Sequence, residues 1–283
     1  MADTLRDRFM REMTIRGYAE RTKQRYMHNV ELMVRRIGLH PSKITRDRTA
    51  KYFEWMVRDH KASPSTYRQH LTAVALFFRT VLKRDYDIFT EARPVKRRKL
   101  PVVLRVEEVE RLIQHVHIPR LRVAVTVLYS CGLRISELLR METGWVVRGG
   151  RRVHIPDGKG GTDRLVPLPK KTLALLRRHC REERLTEGLL FASTYIPGRH
   201  ITPDTVRRAI RMAAAEAGIK QHVTAHTLRH CYATDLLEHG VDVRLIQKFL
   251  GHRSIETTTI YTHLTTPSLR RAHEALDRIT RNL

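Results

Sequence analysis

The sequence has few cysteines, lacks long apolar runs and is short of acidic residues. Its three cysteines, Cys131, Cys180 and Cys231, are odd in number and form no C-x-x-C pair, so they predict buried free thiols in a reducing cytoplasm. No apolar run approaches the roughly 20 residues needed to span a bilayer, and the first residues contain no apolar signal core. We therefore expect a cytoplasmic protein without a membrane partner.

Sixteen histidines point at first to a metal site. His226 and His230 have the i, i+4 spacing of two ligands on one helix. The residues between them supply no glutamate base, however, and Arg229 places a cation between the supposed ligands. The sequence therefore predicts no metal site and no cofactor.

Positive charge is what the sequence has in excess. Lysine and arginine number 54 against 29 aspartates and glutamates in 283 residues, a formal net charge of +25. This excess predicts a polyanionic partner, with nucleic acid first and an anionic membrane surface second. The basic residues are spread through folded-looking sequence with 41% hydrophobic residues, which excludes a detachable basic tail and wholesale disorder.

Residues 1–92 predict a domain of four helices. Thr4 is the candidate cap of the first helix and Gly17 its stop, and Gly38 ends the second helix. Ser63 and Pro64 mark the start of the fourth helix. The third helix, over residues 44–57, is expected to turn Ala50, Phe53 and Val57 inward.

Residues 93–101 separate this domain from the rest of the chain. This helix-free stretch contains two prolines, Pro94 and Pro101, and five basic residues, four of which lie between the prolines. The stretch is either a solvated loop or a linker that lies along a phosphate backbone.

Residues 102–283 predict a domain that combines helices with a small sheet. Helices are expected from Val106 and from Pro119 to Ser130, and the chain beyond Leu168 is mostly helical. Three stretches have strand-like composition: 145–147, 153–155 and 165–168. A glycine-rich turn joins the last two.

The first two candidate sites are an arginine and a lysine. Arg134 follows a glycine break at the start of a short helix, where it is either a surface arginine or the partner of Glu137 in an i, i+3 ion pair. Lys159 occupies the glycine-rich turn, either as soluble surface or as a side chain that reaches into a groove. That turn lacks the residue order and the following helix of a P-loop.

Two further candidate sites lie later in the chain. His226 and Arg229 follow Thr224, a candidate helix cap, and share a face near a helix N-terminus, which favours phosphate binding. The helix dipole disfavours two cations there, so they need an anion or another compensating group. Tyr261 is either half-buried packing or a nucleophile. Its phenol, with an ordinary pKa of ~10, needs a base or cations, such as His252, to react.

Together and in order, these clusters resemble the tyrosine recombinases, the phage-integrase family. The motifs that carry the resemblance are 128–138 for the first arginine box, 158–164 for the hairpin lysine, 226–237 for the second box, and 250–252 with 261–263 for the third. The helical first region is similar to the family's core-binding domain, with weaker motifs. Thr162 and Arg105 depart from the family pattern, which often has a lysine and a helix-capping serine or threonine at these places.

The resemblance implies a reaction and a role for each candidate. Tyr261 would attack a DNA phosphodiester, leaving a 3′-phosphotyrosyl enzyme and a free 5′-hydroxyl. Arg134 and Arg229 would hold the non-bridging oxygens as charge builds in the transition state. Lys159 would protonate the leaving 5′-oxygen, and His226 would handle the proton of the tyrosine.

Other residues take supporting roles under the same resemblance. His252 would hydrogen-bond the phosphate, and Glu137 would orient the groups around it. DNA contacts would come from Arg68, Lys96, Arg97, Arg98, Lys99, Arg164 and Arg253. Residues 268–283 have the apolar face of a helix, which would dock either on its own domain or on a neighbouring protomer.

The fold that the resemblance implies is mainly α. An N-terminal four-helix core-binding (SAM-like) domain would join an α+β catalytic domain with a small three-stranded antiparallel sheet, and the two would close as a C-shaped clamp on DNA. The implied partners are double-stranded DNA with an inverted-repeat core site and, on that DNA, a homotetramer that forms a Holliday junction. Away from DNA we expect a monomer or dimer, located with the nucleoid of a prokaryotic-type cytoplasm.

Two other functions stay open at this point. A type IB-like topoisomerase would nick and reseal one duplex, but the separate helical domain argues against it. A non-catalytic DNA-binding protein would have no need of Tyr261 or Lys159. The compact length and the expected lack of an arm-binding domain favour a Xer-type or transposon-borne recombinase. Chromosome-dimer resolution, mobile-element integration and cassette exchange all use the same chemistry.

Overall fold

The computed structural model describes residues 4–91, 101–147, 149, 151–156 and 163–251. The chain divides into two compact units, residues 1–99 and residues 100–283, which we call the amino-terminal and the carboxy-terminal unit. Each unit has an apolar core of its own. Across the described residues, no helix is both long and apolar enough to cross a membrane.

The amino-terminal unit is a helical bundle, as predicted. Its helices are α1 (Leu5–Ile15), α2 (Glu20–Ile37), α3 (Arg46–Arg58), α4 (Pro64–Phe77) and the short α5 (Ile88–Glu91). Thr4 and Asp7 cap α1 reciprocally, and Gly38 ends α2 in the left-handed region at φ +72°. The side chain of Ser63 accepts a hydrogen bond from the amide of Thr66 at the start of α4. The sequence did not predict α5.

The inward face of α3 differs from the expectation. Val57 was predicted to face the core, but it is 59% exposed. The buried residues of α3 are Thr49, Tyr52, Phe53 and Met56. They follow the i, i+3, i+4, i+7 spacing of one helical stripe, which leaves Val57 at its edge. This stripe is the face that packs against α2 and α4, and that packing decides which apolar residues of α3 are buried.

The carboxy-terminal unit combines seven helices with a small sheet in its described part. The helices are α6 (Val106–Gln114), α7 (Pro119–Ser130), α8 (Ile135–Leu139), α9 (Lys170–Glu182), α10 (Pro203–Glu216), α11 (Ala225–Glu238) and α12 (Val243–Leu250). The strands are β1 (Val146–Val147), β2 (Arg152–Ile155) and β3 (Arg164–Pro167). They form one antiparallel sheet in the order β1-β2-β3, with Val153 opposite Val166. The predicted three-stranded antiparallel sheet is confirmed.

Helix α7 lies in the core of this unit and packs against α9, α10 and α11. Cys131 and Cys231 are buried free thiols, as predicted, and Cys180 is a half-buried free thiol. Helix α12 rests on α11 through an apolar cluster that includes Tyr232, Ile246 and Leu250. This cluster fixes the carboxyl end of α12 close to the start of α8, where the candidate site lies.

Candidate active site

The short helix α8 places a buried carboxylate beside Arg134. The backbone amide of Arg134 donates to Oε2 of Glu137 over 2.7 Å, and its guanidinium donates to Oε1 over 2.7 Å. The helix is held in place because Leu133 and Leu138 are fully buried. The i, i+3 ion pair that the sequence left open is therefore present, and it leaves the side chain of Arg134 20% exposed.

The same carboxylate holds a second arginine from the sheet. Arg164 donates from Nη1 to Oε1 and from Nη2 to Oε2 of Glu137, over 2.8 and 2.7 Å. This two-point pair is deeply buried, since the side chains of Arg164 and Glu137 are 4% and 2% exposed. Arg164 is expected from the sequence to contact DNA. In the structure its guanidinium is instead buried against the carboxylate of Glu137.

The third arginine comes from α11. Arg229 donates from Nη1 to the carbonyl oxygen of Gly132 over 2.6 Å and from Nη2 to that of Leu250. Its Nη1 also lies 3.9 Å from Oε2 of Glu137. These acceptors supply the compensating groups that a cation in the first turns of a helix needs.

The three arginines converge on the carboxyl end of α12. Arg134 donates to the carbonyl oxygen of Gly251 over 2.9 Å, and Arg164 donates to that of Phe249 over 2.8 Å. Together with the bond from Arg229 to Leu250, three consecutive carbonyls each accept from a different guanidinium. The last carbonyls of a helix lack partners within the helix and carry its negative dipole end, so cations stabilise them.

The charges around Glu137 keep its carboxylate ionised. Burial by itself would raise the pKa, but the hydrogen bonds and charge of Arg164, followed by the hydrogen bonds from Arg134, lower the pKa to about 2. Glu137 is therefore an anion at neutral pH and can orient arginines from α8 and β3 at once.

Two histidines of α11 lie beside these cations. Desolvation, followed by the charges of Arg229, Arg134 and Arg207, lowers the pKa of His226 below its ordinary value of 6.5. Burial, with His226 and Arg229, lowers the pKa of His230 to about 4. The ring of His226 is therefore neutral at pH 7 and can accept a proton.

The structure brings together four of the residues that sequence predicted for this site: Arg134, Glu137, His226 and Arg229. Lys159, His252, Arg253, Tyr261 and the basic residues Lys96, Arg97, Arg98 and Lys99 lie outside the described residues, so their roles stay predictions. Arg68 is half-buried on α4 of the amino-terminal unit. Within the described residues, no group of His, Cys, Asp and Glu side chains converges as metal ligands.

Sequence reasoning missed the position of Arg164 although a signal for it existed. Side chains alternate between the two faces of a strand. In β3 the burial pattern alternates, with Arg164 and Val166 inward and Leu165 and Pro167 outward. Leu165 and Val166 are both apolar, so alternation allows two orientations of the strand, and the one with Val166 in the core places Arg164 on the buried face.

Comparison with known proteins supplies the family. Residues 102–267 match the phage integrase family, and residues 5–88 match the phage integrase N-terminal SAM-like domain. Tyrosine recombinase XerD of Pseudomonas aeruginosa is 33% identical over 289 residues, which cover 94% of this chain and 95% of that protein.

Solved structures share the fold. The crystal structure of XerA recombinase is 29% identical with a TM-score of 0.55, and the match covers 96% of this chain and 97% of that one. A lambda integrase tetramer bound to a Holliday junction gives a TM-score of 0.72 at 21% identity, over 91% of this chain and 76% of that one. The chain therefore belongs to the phage integrase family of tyrosine recombinases, enzymes that break and rejoin DNA strands.

Proposed function

We propose that the protein is a site-specific DNA recombinase that cleaves through a covalent 3′-phosphotyrosyl intermediate on Tyr261. The observation that carries the proposal is that Arg134 and Arg229 both donate to carbonyl oxygens at the end of α12. His252 is the next residue in the sequence after this helix end. Two guanidiniums held in fixed positions suit a phosphate that gains negative charge in its transition state.

The proposed cleavage step is a transesterification. The phenolic oxygen of Tyr261 forms a bond to phosphorus while the bond from phosphorus to the 5′-oxygen breaks. The phenolic proton passes to neutral His226, and Lys159 donates a proton to the leaving 5′-oxygen. Attack of the 5′-hydroxyl on the phosphotyrosine reverses the step, so rejoining needs no nucleotide cofactor.

We further propose how the chain is organised for this reaction. Residues 1–92 would form a core-binding domain, residues 93–101 a basic linker and residues 102–283 the catalytic domain. The net charge of +25 supports duplex DNA as the partner. Relatives that include a tetramer bound to a Holliday junction support four protomers exchanging strands between two inverted-repeat sites.

The covalent step is tested with nicked suicide duplexes that carry the inverted repeats flanking the gene. We expect the wild-type protein to be trapped as a protein–DNA adduct and Tyr261→Phe to form none. Tyr195→Phe is the matched control, because Tyr195 is 93% exposed on a loop and should leave the adduct unchanged.

Other outcomes would replace the proposal. Relaxation of supercoiled plasmid that lacks any such repeat would favour a type IB-like topoisomerase. Recombination that persists in Tyr261→Phe would exclude this tyrosine as the nucleophile.

A further inference from the structure

Arg164 is a buried charge that the proposed chemistry does not use. Its side chain is 4% exposed, and its guanidinium is taken up by Glu137 and by the carbonyl oxygen of Phe249. Burying a guanidinium carries a desolvation penalty that only well-placed partners offset. A lysine could offer a charge here, but not a planar fork that bonds both oxygens of one carboxylate and a third acceptor.

The contacts of Arg164 join three parts of the site. Arg164 starts β3, directly after the turn that carries Lys159 in the sequence. Its partner Glu137 is on α8 next to Arg134, and its other partner, Phe249, is in the last turn of α12. A Cβ at Gly251 would lie 3.1 Å from Cδ of Arg164, so the backbone that leads to His252 lies against this side chain.

We propose that Arg164 is a positioning residue that locks Glu137 and the end of α12 in the arrangement that cleavage requires. Its effect on catalysis rests on the proposed function. Its effect on the position of α12 does not.

The expected failure without Arg164 follows from the charges. Glu137 would lose two hydrogen bonds and remain a buried anion, which is costly unless another cation moves to it. Nη1 of Arg229 is already 3.9 Å from Oε2 of Glu137. The carboxylate, left with Arg134 as its hydrogen-bonded partner, would draw Arg229 towards itself and away from the phosphate position.

The first test separates binding from cleavage with Arg164→Met, and uses Arg152→Met as its control. Arg152 is an exposed arginine on the neighbouring strand β2. Its replacement lowers the protein's net charge by the same amount as Arg164→Met but leaves the buried contacts of Glu137 intact. We expect Arg164→Met to slow cleavage of pre-bound suicide DNA by roughly 100-fold, as for other small displacements of reacting groups, with little change in Kd. Arg152→Met should cleave bound DNA like the wild type.

Two variants distinguish positioning from mere stability. Arg164→Lys keeps one charged bond and should recover about tenfold of the lost rate. In the double variant Glu137→Gln/Arg164→Met the buried anion is gone, so Arg229 is released and cleavage should be faster than in Arg164→Met alone. A double variant no faster than Arg164→Met, wild-type cleavage by Arg164→Met, or a loss of affinity equal to its loss of rate would each overturn the proposal.

Hydrogen exchange tests the inference without any catalysis. Amides of residues 243–251 should exchange faster in Arg164→Met and at the wild-type rate in Arg152→Met. Absence of a wild-type adduct together with this exchange pattern would reject the proposed function and keep the positioning role. Unchanged exchange in both variants would reject the positioning role.

Discussion

Gly132 and the ring of Tyr232 lie so close together that a Cβ at Gly132 would stand 2.3 Å from Cδ1 of the ring. Gly132 also has a left-handed backbone, at φ +57°, and its carbonyl oxygen accepts from Arg229. The turn that leads into Arg134 is therefore fixed on one side by an aromatic ring and on the other by a guanidinium. Glycine is required at this position because there is no room for a Cβ and because the backbone is left-handed.

Gly132→Ala should destabilise the carboxy-terminal unit strongly. The left-handed backbone alone costs an alanine about 1–2 kcal/mol, and moving the buried Tyr232 adds about 1–3 kcal/mol of overpacking. Gly218→Ala is the control, because Gly218 has φ +71° in the same unit but nothing within 4 Å of its Cβ position. Urea unfolding measures both, and equal losses for the two variants would contradict the close contact.

The depressed pKa of Glu137 predicts an acid-sensitive unit. The pKa in the folded protein, about 2, lies below the ordinary value of 4.5, so its stabilisation is complete above pH 4.5 and is lost as pH falls towards 2. Between about pH 6 and about pH 3 this group should remove about 2 kcal/mol of unfolding free energy.

Glu137→Gln should abolish that part of the acid dependence. The control is Glu110→Gln, which changes an exposed carboxylate on α6 and should retain the full loss. Urea unfolding at the two pH values gives the comparison when every variant carries Trp55→Phe, so that the fluorescence comes from Trp145 alone. Identical acid dependence in wild type and Glu137→Gln would show that the carboxylate is not held by its arginines.

The lowered pKa of His226 predicts the pH at which the cleavage rate falls on the acidic side of its pH profile, which we call the acid limb. A base with a lowered pKa stays neutral to lower pH, so the cleavage rate should fall to half its plateau at a pH below 6.5. His226→Gln should be slower and should lose this limb. His222→Gln, at an exposed histidine just before α11, should keep the wild-type profile. An acid limb centred above pH 6.5 would contradict the role of His226 as the proton acceptor.

Much of the fold could be predicted because its signals are local. The caps at Thr4 and Ser63, the left-handed stop at Gly38 and the proline at the start of α7 are each set by neighbours in the chain. The strands were found within two residues of their observed ends because each stretch has a strand-like composition that includes valine. Val57 was misplaced because periodicity gives a helical stripe but not its edge.

The site was harder to predict where its contacts are far apart in the chain. Arg134 and Glu137 are three residues apart, a spacing from which an ion pair on one helix can be predicted. Arg164 and Glu137 are 27 residues apart, and Arg134 and Gly251 are 117 apart. Spacing along the chain carries no information on such pairs. The sequence therefore predicts which residue types the site contains, but not that Arg134 and Arg164 bind the same carboxylate.

The sharing of one carboxylate by three guanidiniums has a consequence for the charge that a bound phosphate would meet in the proposed reaction. Arg134, Arg164 and Arg229 around Glu137 leave this cluster with a net charge of +2. A phosphodiester carries a single negative charge, and it gains a second as five oxygens gather around phosphorus. In the proposed reaction, the cluster's charge of +2 exceeds the charge of the bound phosphodiester and matches the charge of its transition state, and this difference would lower the barrier to cleavage rather than only strengthen binding.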